Sequence, residues 1–228
     1  MGVWQAYVFT LARCAFYMAL ALLVGVIGGD IFSKLRFPGR DKLFLLFLSG
    51  MVMPAVLMIV PDYVMRAHFP LLGGNNIWGL GGHGLIGDWR VLFVFGWAPP
   101  FAIFFMKQTF DMLPDEWQDA AKLDGAGRLT IIFRVYGQLL KPALTVVAVI
   151  TFVNTWNDYL WPAVTLSNSL EFVPITMRID AMLGGSAGRP LGSNPALAIM
   201  LTLRPPGLVF IWLQRYFVQG WTAIAPKG

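Results

Sequence analysis

The sequence predicts an all-α integral membrane protein, a bundle of about five transmembrane helices. Two features of composition and one of pattern lead there. Charged residues make up 13% of the chain, about half of what a soluble domain uses to cover its surface, roughly 25%. Hydrophobic residues make up 57%, so much of the surface must face something apolar. The apolar residues are also gathered into runs near the roughly 20 residues that a helix needs to cross a bilayer.

The first run extends from Val3 to Phe32 and is interrupted by Arg13. The second, Leu43 to Val60, carries no charge. The third, Trp89 to Met106, has Pro99 and Pro100 near its middle, and the fifth, Pro195 to Val218, contains Arg204 and the pair Pro205-Pro206. Kinks are expected at these prolines, because neighbouring helices can re-satisfy the carbonyls that proline frees. The fourth run is Pro142 to Val164. Gly25 and Gly29 form a small-xxx-small pair that permits close helix contact, although glycines facing lipid would read the same way.

Orientation follows from lysine and arginine in the gaps. Lys34, Arg36, Arg40 and Lys42 fill the first gap, Lys107, Lys122, Arg128, Arg134 and Lys141 the third, and Arg215 and Lys227 the tail. The alternate side has fewer: Arg66, Arg90, Arg178 and Arg189. The richer side is expected to be cytoplasmic, which places the N-terminus outside. Met1 to Thr10 has no basic start and no cleavage site, so no cleavable signal peptide is read. The net charge of +5 is spread over these gaps and forms no continuous stripe, which argues for membrane insertion and against nucleic acid.

The gap from residue 107 to 141 is the informative one. Asp111, Asp115, Glu116, Asp119 and Asp124 balance its basic residues, so it is locally neutral. Pro114 suits the first turn of a helix, Asp115 and Glu116 complement the dipole, and Gly125 suits the stop. Trp117, Ala120, Ala121 and Asp124 follow i, i+3, i+4, i+7 and share a face, where two alanines would let a partner approach the backbone. An amphipathic helix lying on the membrane fits the same spacing.

The remaining chemistry is sparse. Cys14 is the single cysteine, which excludes an intramolecular disulfide and a cysteine metal cluster. His68 precedes the Gly-rich stretch from Gly73 to Gly87 and His83 lies within it, without a Cys or Glu nearby, weak support for a metal; the better reading is an outer loop facing a delivery protein, with a plain linker close behind. Asp158, ionisable within a span, is costly enough to suggest a role. It could bind solute hydroxyls with Asn154, Asn157 and the ring of Trp156, or pair within the bundle. Arg204 is expected to pair with Asp158 or Asp30, or to snorkel, and Arg13 to snorkel to the outer surface.

Several segments together resemble a known family. Residues Asp115 to Ala126, reading Asp-Glu-Trp-Gln-Asp-Ala-Ala-Lys-Leu-Asp-Gly-Ala, resemble the "EAA" loop of binding-protein-dependent ABC importer permeases, most closely the maltose-type carbohydrate branch. Lys141-Pro142-Ala143-Leu144 falls where that family opens its next membrane helix. Asn154 to Pro162, Phe37 to Arg40, Asn76 to Leu80, and the endings Gln214 to Val218 and Ala225 to Gly228 are similar too. The likeness covers nearly the whole chain, 1–228, as one permease domain containing the loop 107–141. Asp119 replaces the family's glutamate and Gly137-Gln138 replaces its Leu-Pro; the family has six spans, and the runs read here correspond to its second onward, so a truncated or wrongly assigned start is expected.

The resemblance implies a non-catalytic permease subunit in a bacterial inner membrane, carrying a sugar or sugar-like solute. It implies a second homologous permease, two cytoplasmic ATPase subunits and an extracytoplasmic binding protein as partners. Glu116, Trp117, Asp119, Ala120, Ala121, Lys122, Asp124 and Gly125 would couple to the ATPase, with Arg215 and Lys227 as C-terminal contacts. The solute path would involve Asn154, Trp156, Asn157 and Asp158. No Gly-x-x-x-x-Gly-Lys-Ser/Thr segment exists in the chain, so ATP and magnesium would be used by the partners and the chain itself would hold no cofactor. A secondary transporter or channel without an ATPase is the alternative, but no inverted repeat supports it.

Overall fold

A computed structural model describes residues 2–94, 99–166, 172–182, 200, 202–209 and 211. Every regular element among them is helical: α1 (Val3–Lys34), α2 (Arg40–Val52), a 3₁₀ turn (Ala55–Met58), α3 (Ile59–Ala67), α4 (Val91–Val94), α5 (Pro100–Asp111), α6 (Asp115–Leu123), α7 (Arg128–Thr130), a π turn (Ile131–Val135), α8 (Gly137–Asn157), α9 (Leu160–Thr165) and α10 (Ile175–Met182). Residues 202–209 form α11. The fold class is therefore as the composition predicts, an all-α membrane protein.

The expected spans are cut differently. Among the described residues, α1 and α8 are long and apolar enough to cross a membrane, and a third span exists if α2 and Val56–Ala67 count as one broken span. Arg13 does not interrupt α1, which runs through it for 32 residues. The run Leu43 to Val60 breaks after Val52, because Pro54 has no N–H to give and disfavours helix at the residue before it; helix resumes and continues to Ala67. In the third run, helix restarts at Pro100, where the missing N–H costs nothing, and passes Met106 to reach Asp111. α8 begins at Gly137, so Lys141-Pro142 lies inside it and does not open it. The chain leaves helix at Asp158 and Tyr159 and re-enters it at Leu160. The fifth run lies mostly outside the described residues.

The chain divides into two compact units. One comprises Met1–Tyr17, Met53–Gly96 and Phe152–Leu208. Its core includes Leu85, Val91, Leu92, Leu166 and Val173, with Phe9 and Phe69 packed against them. The Gly-rich segment belongs here and is a built loop. Asn75 donates from Nδ2 to the carbonyls of Ala67 and Phe69 and accepts the Gly82 N–H, while Asn76 Oδ1 accepts from Trp78 and Leu80. A side chain at Gly84, where φ is +60°, would run into the carbonyls of Arg66 and Ala67. His68 Nδ1 is bonded to the Gly79 carbonyl at 2.9 Å, and no group of potential metal ligands occurs among the described residues.

The other unit comprises Met18–Val52, Trp97–Thr151 and Val209–Gly228. Its core gathers Ala21 and Val26 of α1, Ala102, Met106 and Phe110 of α5, Ile131, Ile132 and Tyr136, and Leu140, Ala143 and Val147 of α8. Here the glycines of α1 face protein and not lipid. A Cβ at Gly25 would lie 3.2 Å from that of Ala102, and one at Gly29 would lie 2.7 Å from that of Met106 and 2.9 Å from the Lys107 nitrogen. Close backbone approach of this kind is what small residues supply where lipid removes the hydrophobic drive for helix association. α2, by contrast, buries none of its residues. Leu45 and Leu46 are both 67% exposed, apolar surface that lipid or another subunit must cover.

Candidate functional site: the coupling helix and its anchors

The segment from Leu113 to Gly127 folds as its residues predict, with α6 spanning Asp115–Leu123. Pro114 precedes it in an extended conformation, and Asp115 and Glu116 occupy the first turn, where the exposed N–H groups favour negative charge. Gly125 has φ +78°. The Gly125 N–H donates to the Lys122 carbonyl and the Ala126 N–H to the Ala121 carbonyl, both at 2.9 Å, a Schellman stop that needs a left-handed residue at this position. No atom lies within 4 Å of where a Gly125 Cβ would stand, so the requirement for glycine is conformational and not steric.

The two faces of α6 differ from the simple reading of the spacing. Glu116, Trp117, Asp119, Ala120, Lys122 and Asp124 are exposed, and Leu123 is 91% exposed. Ala121, expected on the outer face, is half-buried and packs with Ala126 against the unit's own core. The inward side is completed by Gln118, which is buried. One alanine of the pair therefore lies open and the other belongs to the anchor. Asp119, the shorter carboxylate, accepts from Lys122 within the helix at 3.1 Å.

What holds α6 in place is a polar cluster whose pairings the spacing does not reveal. Lys34, at the end of α1, donates to the Leu113 carbonyl at 2.7 Å and to Asp115 Oδ1 at 2.6 Å. Ser33 donates to Asp111 at 2.6 Å, and Lys107 reaches the same carboxylate at 2.6 Å. Arg128 grips Asp30 with two bonds, Nε to Oδ2 and Nη2 to Oδ1, each 2.8 Å, and its third nitrogen, Nη1, donates to Gln118 Oε1 at 3.0 Å. Lys34 and Arg128 read in the sequence only as basic residues of their gaps, and Asp30 as a possible partner of Arg204. An acid this deep in an apolar run signals a basic partner but does not say which one. The hydrogen bond and charge of Lys34 hold Asp115 below the usual carboxylate range. At Asp111 burial pushes upward, but the bonds from Lys107 and Ser33 outweigh it and its pKa is lowered.

The residues expected near the solute divide as well. Trp156 is fully buried; its indole N–H donates to the Thr202 carbonyl at 3.0 Å and its ring packs between Tyr7 and Phe152. A ring so enclosed has no face to offer a solute. Asp158 pairs with Arg13 at 2.5 Å, which is the bundle-pairing reading, and its Oδ1 accepts the Trp161 N–H where α8 gives way to α9. Arg13, expected to snorkel outward, is 5% exposed and bound to this carboxylate. Both acids considered for Arg204 are thus bonded to other arginines. Asn154 and Asn157, one turn apart on α8, are exposed. Arg66, counted in the sequence only among the basic residues of its gap, pairs with Asp62 at 2.6 Å, donates to the Val91 carbonyl and lies 4.4 Å over the Trp161 ring. Arg215 and Lys227 lie outside the described residues.

Comparison with known proteins agrees with this architecture. An arabinooligosaccharides transport system permease protein, AraQ, from Halalkalibacterium halodurans is 28% identical over 92% of this chain and 70% of its own length. The sn-glycerol-3-phosphate transport system permease proteins UgpE of Pectobacterium atrosepticum and of Yersinia pestis bv. Antiqua are 30% and 33% identical over 90% of this chain and 70% of theirs. A solved structure of a bacterial ABC transporter involved in import of the acidic polysaccharide alginate shares the fold, with a TM-score of 0.66 at 20% identity, over 98% of this chain and 75% of that one. The model of the binding-protein-dependent transport system inner membrane component family matches residues 7–223, and the chain belongs to that family of ABC importer permeases.

Proposed function

We propose that this chain is the permease subunit of an ATP-driven importer of a sugar or sugar-like solute, and that α6 is the element through which ATPase motion enters it. The observation that carries the reading is the bare outer face of a firmly anchored helix: Trp117 is 45% and Leu123 91% exposed, with Ala120 between them. A small residue flanked by exposed apolar ones suits a helix that seats in a cleft of another protein. The assembly comprises this chain, a second homologous permease, two cytoplasmic ATPase subunits with their ATP and magnesium, and an extracytoplasmic binding protein. The solute class rests on the relatives named for arabinooligosaccharide and glycerol-3-phosphate transport. Of the solute-path candidates, Asn154 and Asn157 retain free surface on α8, where amides can meet hydroxyl groups.

The test is disulfide crosslinking in the assembled importer. A cysteine at Ala120 should crosslink to a cysteine placed in the ATPase cleft, whereas one at Ala121, turned toward the core, should do so several-fold more slowly. Free maleimide labelling at position 120 with the ATPase bound would sink the docking claim. Cys14 is fully buried and leaves the background quiet.

A further inference from the structure

We infer that Arg128 and Asp30 are positioning residues of the transport cycle: their ion pair makes α6 and the Met18–Lys34 stretch of α1 move as one body. This rests on the reading of α6 as the ATPase contact. Asp30 is 3% exposed, so its carboxylate is costly without a partner. Arg128 meets it with two parallel bonds and turns its remaining nitrogen to Gln118, the buried residue of α6. A planar guanidinium shared in this way fixes direction as well as distance, which a lysine or a single bond does not. The pair lies between two further attachments, Lys34 to Asp115 and the seating of α1 on α5 at Gly25 and Gly29. On α6, Trp117 and Leu123 point outward and Ala121 meets the unit's core with one short side chain, so the named links from α6 to α1 are the polar ones. A push on the outer face of α6 therefore passes to α1 through charge-assisted bonds.

The experiment follows α1 while the ATPase cycles. Ile27 on α1 is 40% exposed; a cysteine there reports movement through its maleimide labelling rate in the full importer complex, with and without ATP and vanadate. In the otherwise unchanged chain the rate should shift several-fold when vanadate traps the ATPase. Asp30→Asn and Arg128→Gln should each abolish most of that shift while the ATPase still copurifies and hydrolyses ATP, and the reversal pair Asp30→Arg with Arg128→Asp should restore most of it. Arg128→Lys, which keeps charge and loses the fork, should restore only part. A trapped-state shift that persists in Asp30→Asn and Arg128→Gln, or one that is absent in the parent chain, overturns the inference. Loss of the ATPase from the purified complex of either single variant, with no recovery in the reversal pair, overturns it too, because the pair would then be merely structural. Failure of the Ala120 crosslink in the parent chain is a separate result and strikes the docking reading instead.

Discussion

Lys34 Nζ lies 2.6 Å from Asp115 Oδ1 and 2.7 Å from the Leu113 carbonyl, so one ammonium group joins the last turn of α1 to the first turn of α6. It also meets the condition of the α6 N-terminus, whose unpaired N–H groups call for a carboxylate that stays ionised.

A pH dependence follows from that arrangement. Asp115 and Asp111 both have lowered carboxyl pKa values in the fold. The stabilisation they contribute is therefore complete above the unfolded aspartate value of about 3.9 and is lost as pH falls through the lower folded values. Hydrogen-exchange protection of α6, corrected for intrinsic rates, should be flat from roughly pH 8 to 5 and decline only below about pH 4. Lys34→Met should reduce protection already at neutral pH. Equal protection in that variant would show that Lys34 does not hold the helix.

Gly125 is expected to tolerate asparagine far better than valine. Space is open at its Cβ, so the penalty comes from φ +78° alone. A β-branched residue reaches that region at a cost of roughly 1–2 kcal/mol, while asparagine visits it routinely. At matched membrane abundance, Gly125→Val should lose ATPase docking and transport, and Gly125→Asn should keep most of both. Equal behaviour of the two variants would mean that the Schellman stop is unimportant to coupling.

The glycines of α1 should rank by clearance. A methyl at Gly29 meets Met106 Cβ at 2.7 Å and backbone at 2.8 and 2.9 Å, whereas one at Gly25 meets its nearest neighbour at 3.2 Å. Gly29→Ala should destabilise the protein by about 1–3 kcal/mol through overpacking, and Gly25→Ala by less. Thermal unfolding in detergent measures the order, and a more stable Gly29→Ala would contradict the packing of α1 on α5.

Arg13 and Asp158 are separated by 145 positions and joined by an ion pair. Removing either charge leaves the other buried, a loss of about 3–5 kcal/mol. Replacing both, as Arg13→Met with Asp158→Leu, should recover much of that loss. Additive losses across the double-mutant cycle would show that the two charges do not depend on each other.

The sequence by itself determined the class of the protein and the anatomy of α6. Composition and run length are sums over neighbouring residues, and the acidic first turn, the helical spacing and the glycine stop act within a few positions of one another. Hence the acidic first turn and the glycine stop of α6 stand as read, although Pro114, expected in the first turn, lies just before it. The break of the second run after Val52 also has a local cause, Pro54, but propensity alone does not say how far a helix continues beyond it. Tertiary structure alone decided the pairings. Asp30 could have met any nearby arginine, and its partner proved to be Arg128, at a sequence separation of 98. Arg13 could have reached for water, and burial gave it Asp158. Ala121 turned inward although its spacing matches Ala120, because the core of its unit lies on that side. A buried charge or a small apolar face only states a need; which group answers it depends on what the packed helices bring within hydrogen-bond reach.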